Sequence, residues 1–353
     1  MTSLLELDRA ALRAWLVERG FPAYREGQIR RWIHQRRAES FDAMSDLPKE
    51  LRAQLAETFV LRTGTVAKHQ QASDGTEKLL IEWPGGGRIE CVLLRDEERR
   101  TICISSQVGC AMGCVFCASG LDGVDRSLTR GEIVEQMLRL QGLLPADERL
   151  SHIVVMGMGE PLANLDNVVA ALREANAKDG LDISARRITI STVGLPPALR
   201  RLTREEPRFH LAVSLHAPND RLRDEIVPVN RKIGIRAVLE AADEYFEASG
   251  RRLTYEYVLL GELNDRPEHA RELAALLRGR TALLNVIPYN PVAGLPYRTP
   301  TVEAIRNFRD ELERRGVHVR FRQRKGDEID AACGQLRRST PAVNLVAIAP
   351  PSG

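Results

Sequence analysis

From about residue 99 onward, short apolar runs alternate with helix-like stretches, and this alternation limits the fold more than any other feature of the chain. TICISS (101–106), HIVVMG (152–157), RITIST (187–192), FHLAVSL (209–215), LTYEYVLL (253–260) and ALLNVIP (282–288) read as strands. Helical spacing appears near 129–143, 165–178, 235–249, 267–278 and 301–315. Strands that are nearly continuous apolar runs belong in a parallel sheet covered by helices. Five or six such units predict an α/β fold built as an open or partial (β/α)6 barrel. Its active site belongs at the C-terminal ends of the strands.

The first hundred residues read differently. LLELDRAALRAWLVERG has helical spacing and stops at Gly20, REGQIRRWIHQRR follows, and DLPKELRAQLAETF has Asp46 placed as a cap with Pro48 early in the helix. EKLLIEW and RIECVLL flank a PGGG turn and predict a short β-hairpin extension. The expected divisions are a small helical N-terminal domain over 1–65, the β extension over 75–98, the barrel core over 99–326 and a C-terminal segment over 327–353.

The chain has 353 residues, 43% hydrophobic and 28% charged, which suits a globular protein with one large core. No apolar run approaches the roughly 18 residues of a membrane span. The acids of MTSLLELDRAALRAWL make a poor signal peptide, so the expected location is cytoplasmic and no membrane partner is expected. A net charge of +3 does not by itself imply nucleic acid. Its distribution says more, because residues 13–37 hold seven Arg against two Glu and residues 314–325 hold five Arg and one Lys without an acid. Such runs can contact phosphates, or they can be a solvated arginine-rich surface.

Six cysteines in a chain of this kind do not point to a disulfide framework. Three of them, Cys110, Cys114 and Cys117, fall within eight residues as C-x3-C-x2-C. Thiolates suit an iron–sulfur cluster or zinc. A closed zinc site needs a fourth ligand, and no second close pair is present. Three ligands on a four-iron cube leave one iron open to a cofactor. This spacing, with aromatic Phe116 before the last cysteine, resembles that of the radical S-adenosylmethionine superfamily. The resemblance implies a [4Fe-4S] cluster whose open iron chelates S-adenosylmethionine and whose electron yields a 5′-deoxyadenosyl radical.

Other polar residues gather at expected strand ends. MGMGEP (156–161) resembles a superfamily strand end that contacts the methionine amino group, which assigns Gly159 and Glu160 to the cofactor. Ser191, then Ser214, Leu215 and His216, and then Asn290 end or follow later strands, where they are candidates for ribose, carboxylate or base contacts. A lone histidine such as His216 is more often structural.

A closer resemblance rests on SQVGCAMGCVFC, MGMGEPL, SLHAPND, IPYNP and KGDEIDAACGQL in this order, and on FPAYREGQIRRWIHQRRAESFDAMSDLPKELR near the start. Together they resemble the RlmN/Cfr family of ribosomal RNA adenine methyltransferases over about residues 10–348. The RlmN branch is favoured because Cfr-type enzymes are rarer. The resemblance implies a two-step reaction that uses two S-adenosylmethionine molecules per turnover. Cys333 first takes a methyl group, which a radical then activates to attack an adenine ring carbon, carbon 2 favoured over carbon 8. Glu90 removes the ring proton, and Cys103 attacks the Cys333 sulfur, forming a disulfide and releasing the RNA. The implied partners are 23S rRNA, tRNA and an electron donor such as flavodoxin; the expected state is a monomer. Arg25, Arg30, Arg31, Arg36 and Arg37, with Arg320, Arg322, Arg324 and Lys325, are candidate phosphate contacts. Cys91 is expected in the core. Two rivals stay open: a radical enzyme with a non-RNA substrate, and a non-catalytic RNA-binding or electron-transfer protein with a structural metal.

Overall fold

The computed structural model describes residues 1–322 and 325–337; Arg324 and most of the last segment lie outside them. Ten strands form one sheet in which spatial order follows chain order. They are β1 (Thr65–Gln71), β2 (Glu77–Glu82), β3 (Arg88–Arg95), β4 (Arg100–Cys103), β5 (His152–Val155), β6 (Ile188–Thr192), β7 (His210–Ser214), β8 (Leu253–Leu259), β9 (Ala282–Pro288) and β10 (Val319–Phe321). Strands β1 to β4 are mutually antiparallel, and β4 to β10 run parallel. The six expected parallel strands are all present, and β10 adds a seventh at the edge. The hairpin across PGGG is present as well, extended by β1, whose polar and largely exposed residues carry no strand-like alternation.

The expected helices over the core are α4 (Arg130–Gly142), α5 (Leu165–Asn176), α8 (Ile235–Ser249), α9 (Pro267–Leu276) and α10 (Val302–Arg314). Thr129 and Glu132 close a capping box on α4. Two helices were not anticipated, α6 (Pro196–Glu205) and α7 (Asp220–Ile226). The first opens on two prolines and the second is one highly charged stretch of seven residues, so neither carries a long apolar stripe.

The parallel strands alternate rather than being apolar throughout. Ile102, Ile153, Ile190, Val213, Tyr255 and Leu284 are at most 1% exposed and face the helices. Thr101, Val154, Thr189, Ala212, Thr254 and Leu283 instead line a cavity of about 590 Å³. The curled sheet is therefore hollow, with its apolar core outside, between strands and helices.

At the N-terminus, α1 (Arg9–Glu18), α2 (Arg25–His34) and α3 (Lys49–Thr58) pack around Leu16, Ile29, Met44, Leu51 and Leu55, all 0% exposed. Asp8 caps α1 by accepting from Ala11 N–H at 2.7 Å, which is why the first helix begins later than its pattern. Asp46 is not a cap for α3: it accepts from Trp32 Nε1 at 2.5 Å and pairs with Arg36 at 3.3 Å, and no side chain caps that helix.

These helices dock on the core through a buried charge network. Glu174 of α5 pairs with Arg30 at 2.5 Å, His34 at 2.7 Å and Arg130 at 2.8 Å. Burial opposes ionisation of Glu174, but its His34 and Arg30 partners win and hold it well below the usual carboxylate range. The first arginine run is thus largely spent inside the protein. Arg30 is 5% exposed, Arg37 donates to the carbonyls of Leu144, Pro145 and Glu148, and Arg25 donates to Gln28. Arg36 pairs with Asp46 and lies over the Trp32 ring, which leaves Arg31 exposed. Arg30 and Arg37 of that run are used in docking, whereas Arg31 and Arg36 stay exposed.

Glu174→Ala takes the one carboxylate from Arg130 among the described residues and one of three from Arg30, which keeps Glu26 and Asp179, and is expected to cost about 3 kcal/mol in urea unfolding. Because Glu174 is depressed, its contribution is present at neutral pH and is lost as the pH falls through the folded value. The wild-type and variant unfolding curves should therefore converge in acid.

Candidate active site

The three-cysteine loop hangs from a small antiparallel pair, Gln107–Gly109 with Val124–Ser127. Gly109 closes it at φ 77°, and a Cβ there would sit 2.1 Å from the Gly123 carbonyl oxygen. Cys110 N–H donates to that carbonyl at 2.8 Å, and Cys117 N–H turns back to Cys114 at 3.1 Å. Val115 N–H reaches Ile226 at the end of α7, tying the loop to the barrel. Burial raises all three thiols, Cys110 to about 12, and Cys114 is raised further by Cys117 and Cys110. Isolated thiols in such a place stay protonated, whereas a bound iron reverses that preference.

Among the described residues no three Cys, His, Asp or Glu side chains converge as a single ion requires. Three thiols spread along an eight-residue loop, with no fourth protein ligand, suit three corners of a four-iron cube. The polar lining of the strand ends fits the cofactor of such a cube. The buried Oδ1 of Asn290 has no hydrogen-bond partner among the described residues. Among the described residues the hydroxyls of Ser191 and Ser214 bond only each other, at 3.4 Å. Gly159 has φ 103°, and a Cβ there would lie 2.6 Å from Ser106 Oγ, so backbone rather than side chain faces the mouth.

Glu160 is 2% exposed, and its carboxylate accepts from Leu162 N–H at 2.9 Å, Thr192 Oγ1 at 2.6 Å and Val193 N–H at 3.0 Å. Burial raises it against those three bonds. It therefore pins the MGMGEP turn to the end of β6. His216, at φ 60°, accepts from Val258 N–H through Nδ1 at 3.0 Å. Its ring meets Phe116 of the cysteine loop edge-on at 4.8 Å, and burial pulls it down to about 3, so it is neutral. Leu215 is fully buried, and its carbonyl accepts from Arg223 at 3.0 Å.

Arg223 was not anticipated, because nothing in NDRLRDEI distinguishes it from its charged neighbours. It is 0% exposed and also donates to Val193 O at 2.7 Å, Ser214 O at 3.0 Å and Asn230 Oδ1 at 2.5 Å. It clamps the ends of β6 and β7 beneath the cysteine loop.

Residues 325–337 cross the open edge of the barrel as a strap. Lys325 pairs with Asp96, Gly326 N–H donates to Asp74 at 2.9 Å, Ser73 holds Glu328, and Lys78 donates to Asp330 O at 3.0 Å. The strap then turns into the mouth. Asn290 Nδ2 donates to Cys333 O at 3.1 Å, and Ala118 N–H to Gly334 O at 2.7 Å. Cys333 lines the cavity, its thiol raised by burial. Cys103, at the end of β4, is pushed up to about 12 by burial and then by nearby Cys333. Both cysteines carry free thiols. Glu90 on β3 is 6% exposed, pairs with Lys78 at 2.9 Å and accepts from Arg337 N–H at 2.9 Å; burial raises it and Lys78 opposes that. Cys91 is fully buried core.

No described helix is long and apolar enough to cross a membrane. A family model described as the radical SAM superfamily matches residues 104–274, and one described as the ribosomal RNA large subunit methyltransferase N-terminal domain matches residues 2–61. A protein of Rhodopirellula baltica named probable dual-specificity RNA methyltransferase RlmN is 66% identical over 336 residues, covering 95% of this chain and 91% of its own. A Symbiobacterium thermophilum protein of the same name is 47% identical, covering 91% and 87%. The crystal structure of a radical SAM methyltransferase from Sphaerobacter thermophilus aligns with a TM-score of 0.92 at 43% identity, over 96% of this chain and all of that one. With two family models and relatives matching along nearly the full length, the chain belongs to the RlmN family of radical SAM methyltransferases.

Proposed function

We propose that this chain methylates a ring carbon of adenine in RNA, carbon 2 favoured, through a methyl group carried on Cys333. The observation that carries this reading is the return of Cys333, more than two hundred residues along the chain, to the cysteine loop and to Cys103. A radical enzyme without a carrier has no use for that strap. Cys110, Cys114 and Cys117 would hold a [4Fe-4S] cluster. Gly159, Glu160, Ser191, Ser214, Leu215, His216 and Asn290 form the cradle for S-adenosylmethionine. When bound, these groups supply methyl donation and hydrogen abstraction, one S-adenosylmethionine molecule for each.

The protein's part follows from its own residues. The Cys333 sulfur forms a bond to the incoming methyl and gives up its proton. After a hydrogen atom leaves that methyl, its carbon bonds to the adenine ring, linking RNA to Cys333, and the unpaired electron this leaves on the ring would pass back to the cluster as the ring proton is lost. Glu90 accepts the ring proton, which requires Arg337 to release one of its oxygens. Attack by the Cys103 thiolate on the Cys333 sulfur then breaks the sulfur–carbon bond, the released carbon takes up a proton, and a Cys103–Cys333 disulfide and methylated RNA remain. The target base must leave its stack to reach so enclosed a site, which favours looped RNA. The substrates are 23S rRNA and a second RNA, tRNA, in keeping with the dual-specificity name of the relatives. The protein acts as a cytoplasmic monomer and takes electrons from a donor such as flavodoxin.

The decisive experiment reconstitutes the protein with iron and sulfide without oxygen and follows RNA by mass spectrometry, where the methyladenosine isomer names the carbon. Cys333→Ala should abolish RNA methylation while RNA-free release of 5′-deoxyadenosine continues. Cys103→Ala should stall as a protein–RNA adduct that survives denaturing electrophoresis. Zinc at the three cysteines with no 5′-deoxyadenosine, or methylation by Cys333→Ala, would sink the reading.

Glu90→Gln should lower kcat by about 10²–10⁴-fold. Because burial raises Glu90, the wild-type rate should fall on the acid side at a pH above the ordinary carboxylate range. That limb should vanish in the variant. A variant with unchanged rate and unchanged acid limb removes Glu90 from the reaction.

A further inference from the structure

The cavity inside the sheet has two unlike ends. At the C-terminal ends of the strands it is capped by Ala331, Ala332 and Cys333 on the cysteine loop. At the other end its lining includes Asp96, Arg99, Lys325 and the first residues of several strands, of which Thr101, Thr189 and Thr254 are only half-buried. The cavity thus opens toward the N-terminal ends of the strands.

That rim carries arginines. Arg99 directly precedes β4, Arg186 and Arg187 precede β6, and Arg251 and Arg252 precede β8; Arg320 in β10 lines the cavity with Arg99. Five of the six are exposed and Arg251 is half-buried. The ordinary role for such residues is to pair with a carboxylate or cap a helix, as Arg280 does with Asp243 and Leu276 O nearby. Among the described residues none of the six side chains makes an ion pair or donates a hydrogen bond. The neighbouring acids are largely taken, Asp96 by Lys325, Glu148 by Arg100 and Asp182 by Arg149, which leaves Glu97 and Glu98. The positive field is felt locally. After burial, Arg99 and Arg187 lower His152, and Arg251 lowers His210.

Unpaired arginines side by side repel one another and stabilise nothing in the folded chain, so their charge is directed outward. We infer that the strand N-terminal rim, through Arg99, Arg186, Arg187, Arg251, Arg252 and Arg320, grips the phosphate backbone of the substrate RNA, and that the target base enters the barrel from this end. The inference rests on the RNA reading above and adds to it the surface and the direction of approach. It takes the place of Arg30 and Arg37, whose charge is used inside the protein. An acidic electron donor is the other partner such a face attracts. Strand β8 alone has seven residues, about 23 Å at ~3.3 Å each, and the cysteine loop lies at its far end. A reductant docked on this rim is therefore on the wrong side of the barrel.

The test uses reconstituted holoenzyme and a fluorescein-labelled RNA hairpin with an adenosine in its loop. Arg186→Gln/Arg187→Gln/Arg252→Gln should weaken binding at least ~10-fold at 0.1 M salt and reduce the slope of log K against log salt by about 2–3, given ~0.7–0.9 per phosphate contact. The corresponding triple lysine variant should bind like wild type. RNA-free S-adenosylmethionine cleavage with dithionite should be unchanged, which separates lost RNA contacts from misfolding. Arg200→Gln/Arg236→Gln, on the helical surface, should leave affinity and slope alone. Unchanged affinity and slope in the triple glutamine variant overturn the inference. So does normal RNA binding with slowed reduction by flavodoxin, which would make the rim a reductant dock. A wild-type enzyme that itself binds no RNA refutes the substrate reading, and the surface falls with it.

Discussion

A curled sheet whose inward row is threonine, valine, alanine and leucine cannot fill its own interior, and the architecture follows from that shortfall. Most large apolar side chains of β4 to β9 point outward, where each fully buried one contributes about 1.5–3 kcal/mol against the helices. The inward positions contribute less and leave the space of about 590 Å³. Closed barrels of this kind fill their centres with branched side chains. Here the strands stop short of closure, and a segment from the end of the chain crosses the gap instead. Its anchors on Asp74, Ser73, Lys78 and Asp96 belong to the hairpin extension and its edges. The extension therefore gives the strap something to hold, and the strap delivers Cys333 to the mouth.

The mouth is held open by buried charge. Taking an ion out of water costs several kcal/mol unless partners compensate. Glu160 and Arg223 meet that cost by binding backbone groups rather than each other. Glu160 collects N–H groups from the ends of β5 and β6, and Arg223 collects carbonyls from the ends of β6 and β7. Each fixes the relative position of neighbouring strand ends, where a few tenths of an ångström decide whether a cofactor fits. Glu90 and Lys78 do the same between the extension and Arg337 of the strap. These residues share burial and multiple backbone contacts, and they sit where apolar packing is thinnest.

Much of this was legible in the sequence because it rests on local period and spacing. The six parallel strands, five core helices and the hairpin follow from runs of apolar residues bounded by turns. The cysteine loop follows from three thiols and a glycine that nothing else can replace. The features that escaped are set by tertiary partners. Strand β1 is exposed and polar and exists because β2 offers it an edge. Asp46 carries the local signature of a cap, but Trp32 and Arg36 compete for it successfully. Arg30 and Arg223 are ordinary arginines in composition, and only the fold shows them fully enclosed. The arginine run at 13–37 stands out by density, yet the rim arginines, scattered singly or in pairs before strands, have no ion-pair partner among the described residues.

The placement of charge gives the barrel a direction. In parallel α/β folds the strand C-terminal ends gather ligand chemistry, and the opposite ends usually carry stability. Here the C-terminal ends hold neutral His216, the pinned Glu160 turn and raised, uncharged thiols, a site kept free of bare charge until a cluster occupies it. The N-terminal ends hold cations with no internal use. On the approach inferred above, a polyanion meets one end of a channel whose reactive groups are at the other, and the target base alone traverses it. Size thus screens what reaches Cys333 before any specific hydrogen bond is made. The same enclosure keeps water from a radical generated at the far end. Charge at the entrance and apolar closure at the exit let one hollow sheet serve both requirements.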